Sequence, residues 1–274
     1  MPLANEARSV AGATTLTALG VGVLAALAGC GDHGGGDIAT ISAPQGRLWG
    51  ARFAPAGDVI AIAFGDEDKI GTIDLEAGTL RELTGGGSYL TGTAWSPSGD
   101  AIYFNGTAGI VRISTDIGAT SPVNDAFASL GLDVSADGAR MAYGINGGNA
   151  RVYTIATDVE TTLARPCQAI RFAPDGARVA CISGGALLVI DLATGAETTV
   201  IERDLPFIAG VDWYGDGTRL LFTSSDGVER IGVDGEDRHL VHGAFAAVEV
   251  DLAADEQSIV YGVNGQDALT LLRL

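Results

Sequence analysis

The six-residue stretch Trp95-Ser-Pro-Ser-Gly-Asp100 places an apolar residue directly before a turn that contains proline and glycine. Proline presets the backbone φ of a tight turn, and glycine accepts the positive φ that many turns require. Related turn stretches recur every 38 to 42 residues, and they begin at Phe53, Trp95, Val134, Phe172, Trp213 and Leu252. A repeat of about 40 residues is typical of β-propellers, in which each repeat forms one blade of four strands.

Each turn stretch is followed by three runs with the composition of β-strands. The first is rich in aliphatic and β-branched residues, as in residues 59–64 and 219–222. The last is short and rich in threonine, as in residues 197–200. Such runs, bounded by turn residues, indicate strands. Since no stretch after residue 37 has a sustained helical period, the sequence predicts an all-β fold: a six-bladed β-propeller of four-stranded blades over residues 38–274.

The two ends of the repeat region complement each other. The sixth unit ends with its third strand, residues 268–274, and the run 38–43 before the first unit has the composition of the missing fourth strand. We expect residues 38–43 to pair with residues 269–274 and complete the last blade, because ring closure removes the open edges of a linear stack.

The N-terminal segment has the features of an export signal. Residues 9–31 carry no charge, and the apolar run 16–29 follows Arg8; an apolar region that ends in small residues is typical of a secretory signal peptide. Leu27-Ala28-Gly29-Cys30 resembles the lipobox of bacterial lipoproteins. The resemblance implies a lipoprotein signal peptide over residues 1–29, an acyl anchor on Cys30 and contact with the membrane through it. The alternative is an uncleaved helix, since about 20 apolar residues can span a bilayer.

Glycine-rich residues 30–37 predict a flexible tether between this anchor and the propeller. The chain contains 16 Lys+Arg and 34 Asp+Glu, for a formal net charge of -18. Nucleic acids and anionic headgroups repel such a chain, so nucleic-acid binding is excluded and membrane attachment depends on the acyl chains. The expected location is the bacterial cell envelope, either facing the periplasm or at the outer membrane, and the choice of membrane stays open.

The turn stretches at Phe53, Trp95 and Phe172 resemble the WD-like repeat of the TolB propeller family, and the resemblance covers residues 38–274. It implies the propeller fold and no particular activity, because one fold hosts many functions. The family's translocation and peptidase members carry α/β domains beside the propeller. We expect neither such domain here, so neither their partners nor their activity carries over.

Charged residues are expected around the axis of the ring. The residue before each turn stretch ends an inner strand, and the charged residues at this position are Arg52, Asp133, Arg171, Asp212 and Asp251. Small residues such as Gly50 and Gly131 precede them, which suits a crowded centre. The charges either neutralise one another across the channel or form a polar site for a small ligand or cation, and the sequence leaves both interpretations open.

Aromatic residues occupy the loops that lead into the inner strands, and these are Trp49, Tyr89, Phe127, Phe207 and Phe245. The loops share one face of a propeller. The aromatic side chains there form either a docking patch for a protein or plugs between blades.

Cys167 and Cys181 are the cysteines that remain besides Cys30. Export permits a disulfide, and both residues fall on adjacent strands of the fourth unit. The tight turn between those strands places Cys181 opposite Ala169 or Ile170 instead of Cys167. Because a disulfide requires close Cα atoms, the sequence favours two reduced thiols.

Signature motifs of catalysis are missing from the sequence, including the Gly-x-Ser-x-Gly elbow, the His-Glu-x-x-His site and the Walker loop. His239 and His242 lie three residues apart on a predicted outer strand, so their side chains point to opposite faces. We therefore expect no catalytic residue, metal site or cofactor. The sequence favours a monomeric binding or scaffold module with an envelope protein as its partner. The alternative is an envelope hydrolase or lyase with its site at the channel mouth.

Overall fold

A computed structural model of the chain describes residues 24–28, 38–42, 48–64, 69–84, 92–106, 109–126, 128–202, 208–244, 247–263 and 266–274. Every regular element in these ranges is a β-strand, so the all-β prediction is confirmed. Within the same ranges, no helix has the length and apolar character needed to cross a membrane.

Two strands precede the first blade, and these are β1 (Leu24–Ala28) and β2 (Ile38–Ser42). Blade 1 consists of β3 (Leu48–Phe53), β4 (Val59–Phe64), β5 (Lys69–Asp74) and β6 (Thr79–Thr84). Blade 2 consists of β7 (Thr93–Trp95), β8 (Ala101–Gly106), β9 (Gly109–Ser114) and β10 (Thr120–Asn124). Blade 3 consists of β11 (Ala128–Val134), β12 (Arg140–Ile145), β13 (Gly148–Thr154) and β14 (Val159–Thr162).

Blade 4 consists of β15 (Ala169–Phe172), β16 (Arg178–Ser183), β17 (Ala186–Asp191) and β18 (Glu197–Ile201). Blade 5 consists of β19 (Ile208–Trp213), β20 (Arg219–Ser224), β21 (Val228–Gly232) and β22 (His239–His242). Blade 6 contains β23 (Ala247–Leu252), β24 (Ser258–Val263) and β25 (Ala268–Arg273). Neighbouring strands within each blade are antiparallel, and the first strand of each blade contacts the first strands of both adjacent blades, from β3 round to β23 and back. The ring of six blades is therefore closed, as the sequence predicts.

The hydrophobic core is divided into layers between neighbouring blades. Between blades 1 and 2, for example, Ala61 and Ile70 share a buried cluster with Ile102 and Ile113. An equivalent cluster joins the two blades of each remaining adjacent pair. Because both faces of a blade are covered, the second strands are buried almost without interruption, which explains their continuous apolar runs.

The N-terminal strand closes the last blade, and this prediction is confirmed. β2 lies antiparallel to β25, from Ile38 opposite Leu272 to Ser42 opposite Ala268. Blade 6 thereby takes its fourth strand from the other end of the chain. The side chain of Ile41 is 2% exposed and belongs to the buried cluster between blades 6 and 1.

β1 adds a fifth strand outside β2, with Leu24 opposite Ser42 and Ala28 opposite Ile38. This strand lies within the segment that the sequence assigns to the signal peptide. Cleavage before Cys30 would remove β1 and leave β2 as the outermost strand of blade 6. The division of the N-terminal region into signal peptide and tether stays a prediction.

The expectation of two reduced thiols is wrong: Cys167 and Cys181 form a disulfide with their Cα atoms 5.4 Å apart. The register within the sheet is as expected, because Cys181 lies opposite Ile170. The strand, however, begins only at Ala169. Cys167 therefore belongs to the preceding loop, which is free of the strand's register and bends towards β16.

Truncating Ile41 tests the closure of the ring. Ile41→Ala removes a fully packed side chain from the cluster between blades 6 and 1, and we expect the free energy of unfolding to fall by about 3 kcal/mol. The matched control is Thr40→Ala on the exposed side of the same strand, for which we expect a change of about 0.5 kcal/mol or less. Urea denaturation measures both. Equal effects of the two variants would contradict closure by β2.

Replacement of the two cysteines and a thiol titration test the disulfide. The bridge closes a loop with a sequence separation of 14 residues, for which the restriction of the unfolded chain stabilises the fold by about 3 kcal/mol. We expect a double Cys167→Ala, Cys181→Ala variant to lose about that amount. In a Cys30→Ser protein, thiol titration of the denatured, unreduced chain should find no free thiol. Two free thiols in that titration would show that Cys167 and Cys181 are reduced and not bridged.

Candidate functional site

The inner strands surround a cavity of about 260 Å³ on the axis of the ring. Its charged floor consists of Arg52, Asp133, Asp212 and Asp251, each the next-to-last residue of an inner strand. Its walls are the first residues of all six turn stretches, which are Phe53, Trp95, Val134, Phe172, Trp213 and Leu252. Residues of the turns, such as Pro55 and Pro174, also line it. The cavity therefore opens on the face formed by the turns between first and second strands.

Three floor aspartates join their own blade to the next one. In each case Oδ2 of the aspartate accepts a hydrogen bond from a main-chain N–H at the start of the neighbouring turn stretch. These bonds join Asp133 to Phe172, Asp212 to Leu252 and Asp251 to Phe53, each at 2.7 Å. A buried N–H that loses its acceptor costs about 1–3 kcal/mol, so the floor carboxylates have a structural role as well as a position in the cavity.

A different bond replaces this one where the inner strand ends in arginine. The indole Nε1–H of Trp95 donates to the carbonyl oxygen of Arg52 at 3.0 Å, and that of Trp213 donates to the carbonyl oxygen of Arg171 at 3.2 Å. Tryptophan opens a turn stretch only in the two blades that follow these arginines. A tryptophan at the start of a turn stretch thus goes together with an arginine at the end of the inner strand in the preceding blade.

Arg52 of blade 1 bonds to blades on both sides of it. Its Nη1 donates to Oδ1 of Asp251 in blade 6 at 2.7 Å, and its Nη2 donates to the carbonyl oxygen of Leu132 in blade 3 at 3.3 Å. Blade 2 lies between blade 1, which contains Arg52, and blade 3, and it has the short side chain of Ala94 at the position equivalent to Arg52. Burial opposes the charge on Arg52, but the neighbouring aspartates raise its pKa, Asp251 most strongly.

Arg171 takes a different direction, although it occupies the same position in blade 4. Its Nη1 donates to the carbonyl oxygen of Ile170 at 2.9 Å, and its side chain does not line the cavity. The structure therefore brings together four of the five residues that the sequence assigns to the channel. The floor has three carboxyl groups and one guanidinium.

Burial governs the ionisation of these carboxyl groups. Desolvation raises the pKa of Asp133 from 3.8 to about 6, against the opposing effect of Arg52. Desolvation and the adjacent Asp251 carboxyl raise the pKa of Asp212 well above its ordinary value. Burial also raises the pKa of Asp251, and its ion pair with Arg52 opposes this shift. Each of these carboxyl groups therefore releases its proton at a higher pH than an exposed aspartate does.

Glu249 is a further polar residue of the channel that sequence reasoning did not single out. It has a φ of +52° at a position where four other blades have glycine. Its Oε2 accepts a hydrogen bond from the main-chain N–H of Gly50 at 2.5 Å. Burial raises its pKa. The signal in the sequence was a single large, charged residue in a series of small ones.

The inner strands approach one another most closely at this same level. A Cβ atom on Gly210 would lie 2.7 Å from the Cα of Glu249, so only glycine allows the two backbones to pass. A Cβ on Gly131 would lie 2.9 Å from the main-chain nitrogen of Ile170. Glycine at these positions lets the strands close the channel beneath the charged floor.

Of the predicted aromatic face, the structure describes only the backbone of Trp49, which is the second residue of β3 and lies away from the cavity end of that strand. Trp49 is part of β3, whereas Tyr89, Phe127, Phe207 and Phe245 lie outside the described residues. The docking patch therefore stays a prediction. Among the residues that the structure describes, no group of three or more His, Cys, Asp and Glu side chains is placed to hold a metal ion.

The closed ring of antiparallel blades and its central cavity define a β-propeller of the WD-like kind. The chain belongs to the family of the lipoprotein LpqB β-propeller domain, whose pattern matches residues 50–272. The comparison with curated proteins finds no match.

Two solved structures have a similar fold. TolB from Acinetobacter baumannii superimposes with a TM-score of 0.63 at 14% identity, over 74% of this chain and 58% of that chain. The Cps50 (Swd1) β-propeller domain from Myceliophteria thermophila also gives a TM-score of 0.63 at 14% identity, over 86% of this chain and 99% of that chain. This chain thus spans little more than half the length of TolB. At such identity the likeness shows the fold alone.

The raised pKa of Asp133 predicts a pH-dependent stability. Between about pH 4 and 6 the folded protein keeps a proton that the unfolded chain releases, so the free energy of unfolding falls as the pH rises through this window. Asp212 and Glu249 act in the same direction. In contrast, hydrogen bonds from Ser98 and Ser135 lower the pKa of Asp100 and Asp137, whose contribution is lost below about pH 4.

Asp133→Asn keeps an acceptor oxygen for the N–H of Phe172 and removes the ionisable group. We expect it to raise the free energy of unfolding at pH 7.5 and to flatten the decline between about pH 4 and 6. Urea denaturation at several pH values measures this decline. Asp255→Asn in an exposed turn changes the net charge equally and should leave the slope as it is. An unaltered slope in Asp133→Asn would show that this carboxyl group titrates alike in both states.

Proposed function

We propose that the protein is a lipid-anchored binding module of the bacterial cell envelope. In this proposal the acyl chains on Cys30 hold the protein at the membrane, residues 31–37 act as a tether, and the propeller binds a ligand or a partner protein. The observation that carries the proposal is the central cavity, to which all six blades contribute a wall residue. Pockets that combine apolar walls with a few converging polar groups are the usual form of small-molecule binding sites.

The membership of the LpqB lipoprotein propeller family supports the anchor, because the family description names a lipoprotein. The stretch Leu27-Ala28-Gly29-Cys30 supplies the cysteine that such an anchor requires. Since two or more acyl chains are needed for stable attachment, a lipidated Cys30 places the whole propeller at a membrane surface in spite of its strong negative charge.

Replacement of Cys30 tests the anchor. In a bacterial host that processes lipoproteins, we expect the wild-type protein in the membrane fraction and Cys30→Ser in the soluble fraction. The control is Gly29→Ala, which keeps a small residue before the cysteine and should stay with the membrane. Mass spectrometry of the N-terminus should find an acylated Cys30. A Cys30→Ser protein that stays in the membrane with an intact N-terminus would instead support an uncleaved helix.

A further inference from the structure

The central cavity has an unusual combination of charge and apolar surface for a simple packing defect. Its floor presents three carboxyl groups against the single guanidinium of Arg52. Arg52 and Asp251 neutralise each other in an ion pair at 2.7 Å. Asp133 and Asp212 have no ion-pair partner within the described part of the chain, and both keep part of their surface exposed. Arg52 is the single cation that lines the cavity, so the floor carries more negative than positive charge when its three carboxyl groups are ionised.

Both unpaired carboxyl groups retain capacity for a ligand. Asp133 accepts the N–H of Phe172, whereas Asp212 accepts the N–H groups of Trp213 and Leu252 and shares a side-chain hydrogen bond with Asp251. An ionised carboxylate has about four acceptor sites, so each group can accept further hydrogen bonds from a donor in the cavity. These main-chain bonds also hold the two carboxylates in place, and a ligand therefore meets a preorganised floor.

The walls above the floor are apolar and largely aromatic. Phe53, Trp95, Phe172 and Trp213 contribute rings, and Val134 and Leu252 complete the circle. Cations are attracted to the faces of aromatic rings, and tryptophan gives the strongest such interaction. An apolar wall also favours a ligand with a hydrocarbon part over a hydrated inorganic ion, which has none. The volume of about 260 Å³ corresponds to roughly nine water molecules in the liquid, so the ligand is small.

We propose that the cavity binds a small organic ammonium ion whose N–H or N–CH groups contact Asp133 and Asp212 and whose hydrocarbon part packs against the aromatic walls. This inference rests on the proposed function of the propeller as a binding module and specifies the chemistry of its ligand. The net charge of -18 on the chain attracts cations of this kind to the protein from a distance.

Three organic probes of similar size and one inorganic cation test the proposal with the Cys30→Ser protein. Phenethylammonium carries the ammonium group, 2-phenylethanol is its neutral counterpart, phenylacetate is an anion, and Ca²⁺ is an inorganic cation. Trp95 and Trp213 line the cavity, so tryptophan fluorescence reports on its occupation, and isothermal titration calorimetry gives the affinity. We expect phenethylammonium to bind at least tenfold more tightly than each other probe. Equal or tighter binding of the alcohol, the anion or Ca²⁺ would overturn the proposal.

Variants locate the site. Asp133→Asn and Asp212→Asn each keep an acceptor for the main-chain N–H of the next blade and remove a charge. We expect each to weaken phenethylammonium binding about tenfold or more, because a hydrogen bond to a charged group contributes about 1.5–3 kcal/mol. The matched control is Asp255→Asn on an exposed turn, which should bind as the wild type does. Wild-type affinity in both floor variants would place the ammonium ion elsewhere.

The pH dependence of binding is a further readout that needs no variant. The charged groups that share the cavity with Asp133 are Arg52, Asp212 and Asp251, and burial raises the pKa of Asp133 to about 6. Protonation removes the charge that the ammonium ion requires, so affinity should fall at least tenfold between pH 7.5 and pH 5. Membrane fractionation of Cys30→Ser tests the anchor separately. If phenethylammonium fails to bind while a neutral or anionic probe binds, the ammonium proposal is wrong and the binding function stands.

Discussion

Among the described residues, five of the six inner strands end in a hydrogen bond to the next blade, and the geometry of the centre depends on these bonds. In three blades an aspartate carboxylate accepts a main-chain N–H across the boundary, as Asp133 does from Phe172. In two others a tryptophan indole donates to a carbonyl, as Trp95 does to Arg52. Because these bonds lie between blades, each blade orients its neighbour. The packing layers between blades supply most of the stabilisation, but they are not directional, whereas these bonds define how the strands meet.

The same carboxylates form the floor of the cavity, so structural bonding and the site cannot be separated. Burial raises the pKa of Asp133 and Asp212, so ionisation of these two carboxyl groups costs stability. Arg52 offsets one charge through its ion pair with Asp251. A cluster that opposes folding in this way is typical of binding and catalytic sites, where stability is lower than packing alone allows. A cationic ligand would recover part of that stability.

The blade pattern was predictable because its causes are local. Proline, glycine and aspartate set each turn within six residues, and the strands follow from short apolar runs. Even the closure by β2 could be inferred by counting strands. The disulfide was not predicted, because the sequence interpretation assumed that Cys167 follows the register of the strand. In the structure, Cys167 lies in the loop before β15 and does not follow that register. The walls of the cavity were also missed: Phe53 and its equivalents appeared only as the start of a turn, although they stand beside the charged residues in every unit.

The number of blades, their strand order and the ring of charged positions are properties of a repeat that is visible in the residues alone. The directions of the charged side chains are not. Arg52 and Arg171 occupy equivalent positions, yet Arg52 reaches Asp251 of the adjacent blade 6, whereas Arg171 donates to the carbonyl oxygen of Ile170 beside it. Glu249 adopts a positive φ that glycine has in blades 1 and 3. These outcomes and the pKa values of the floor carboxyl groups depend on distances between different blades. Equivalent positions in two blades are at least 38 residues apart along the chain. Only the folded ring sets those distances, because local turn and strand preferences act over a few residues and contain no information about what lies opposite.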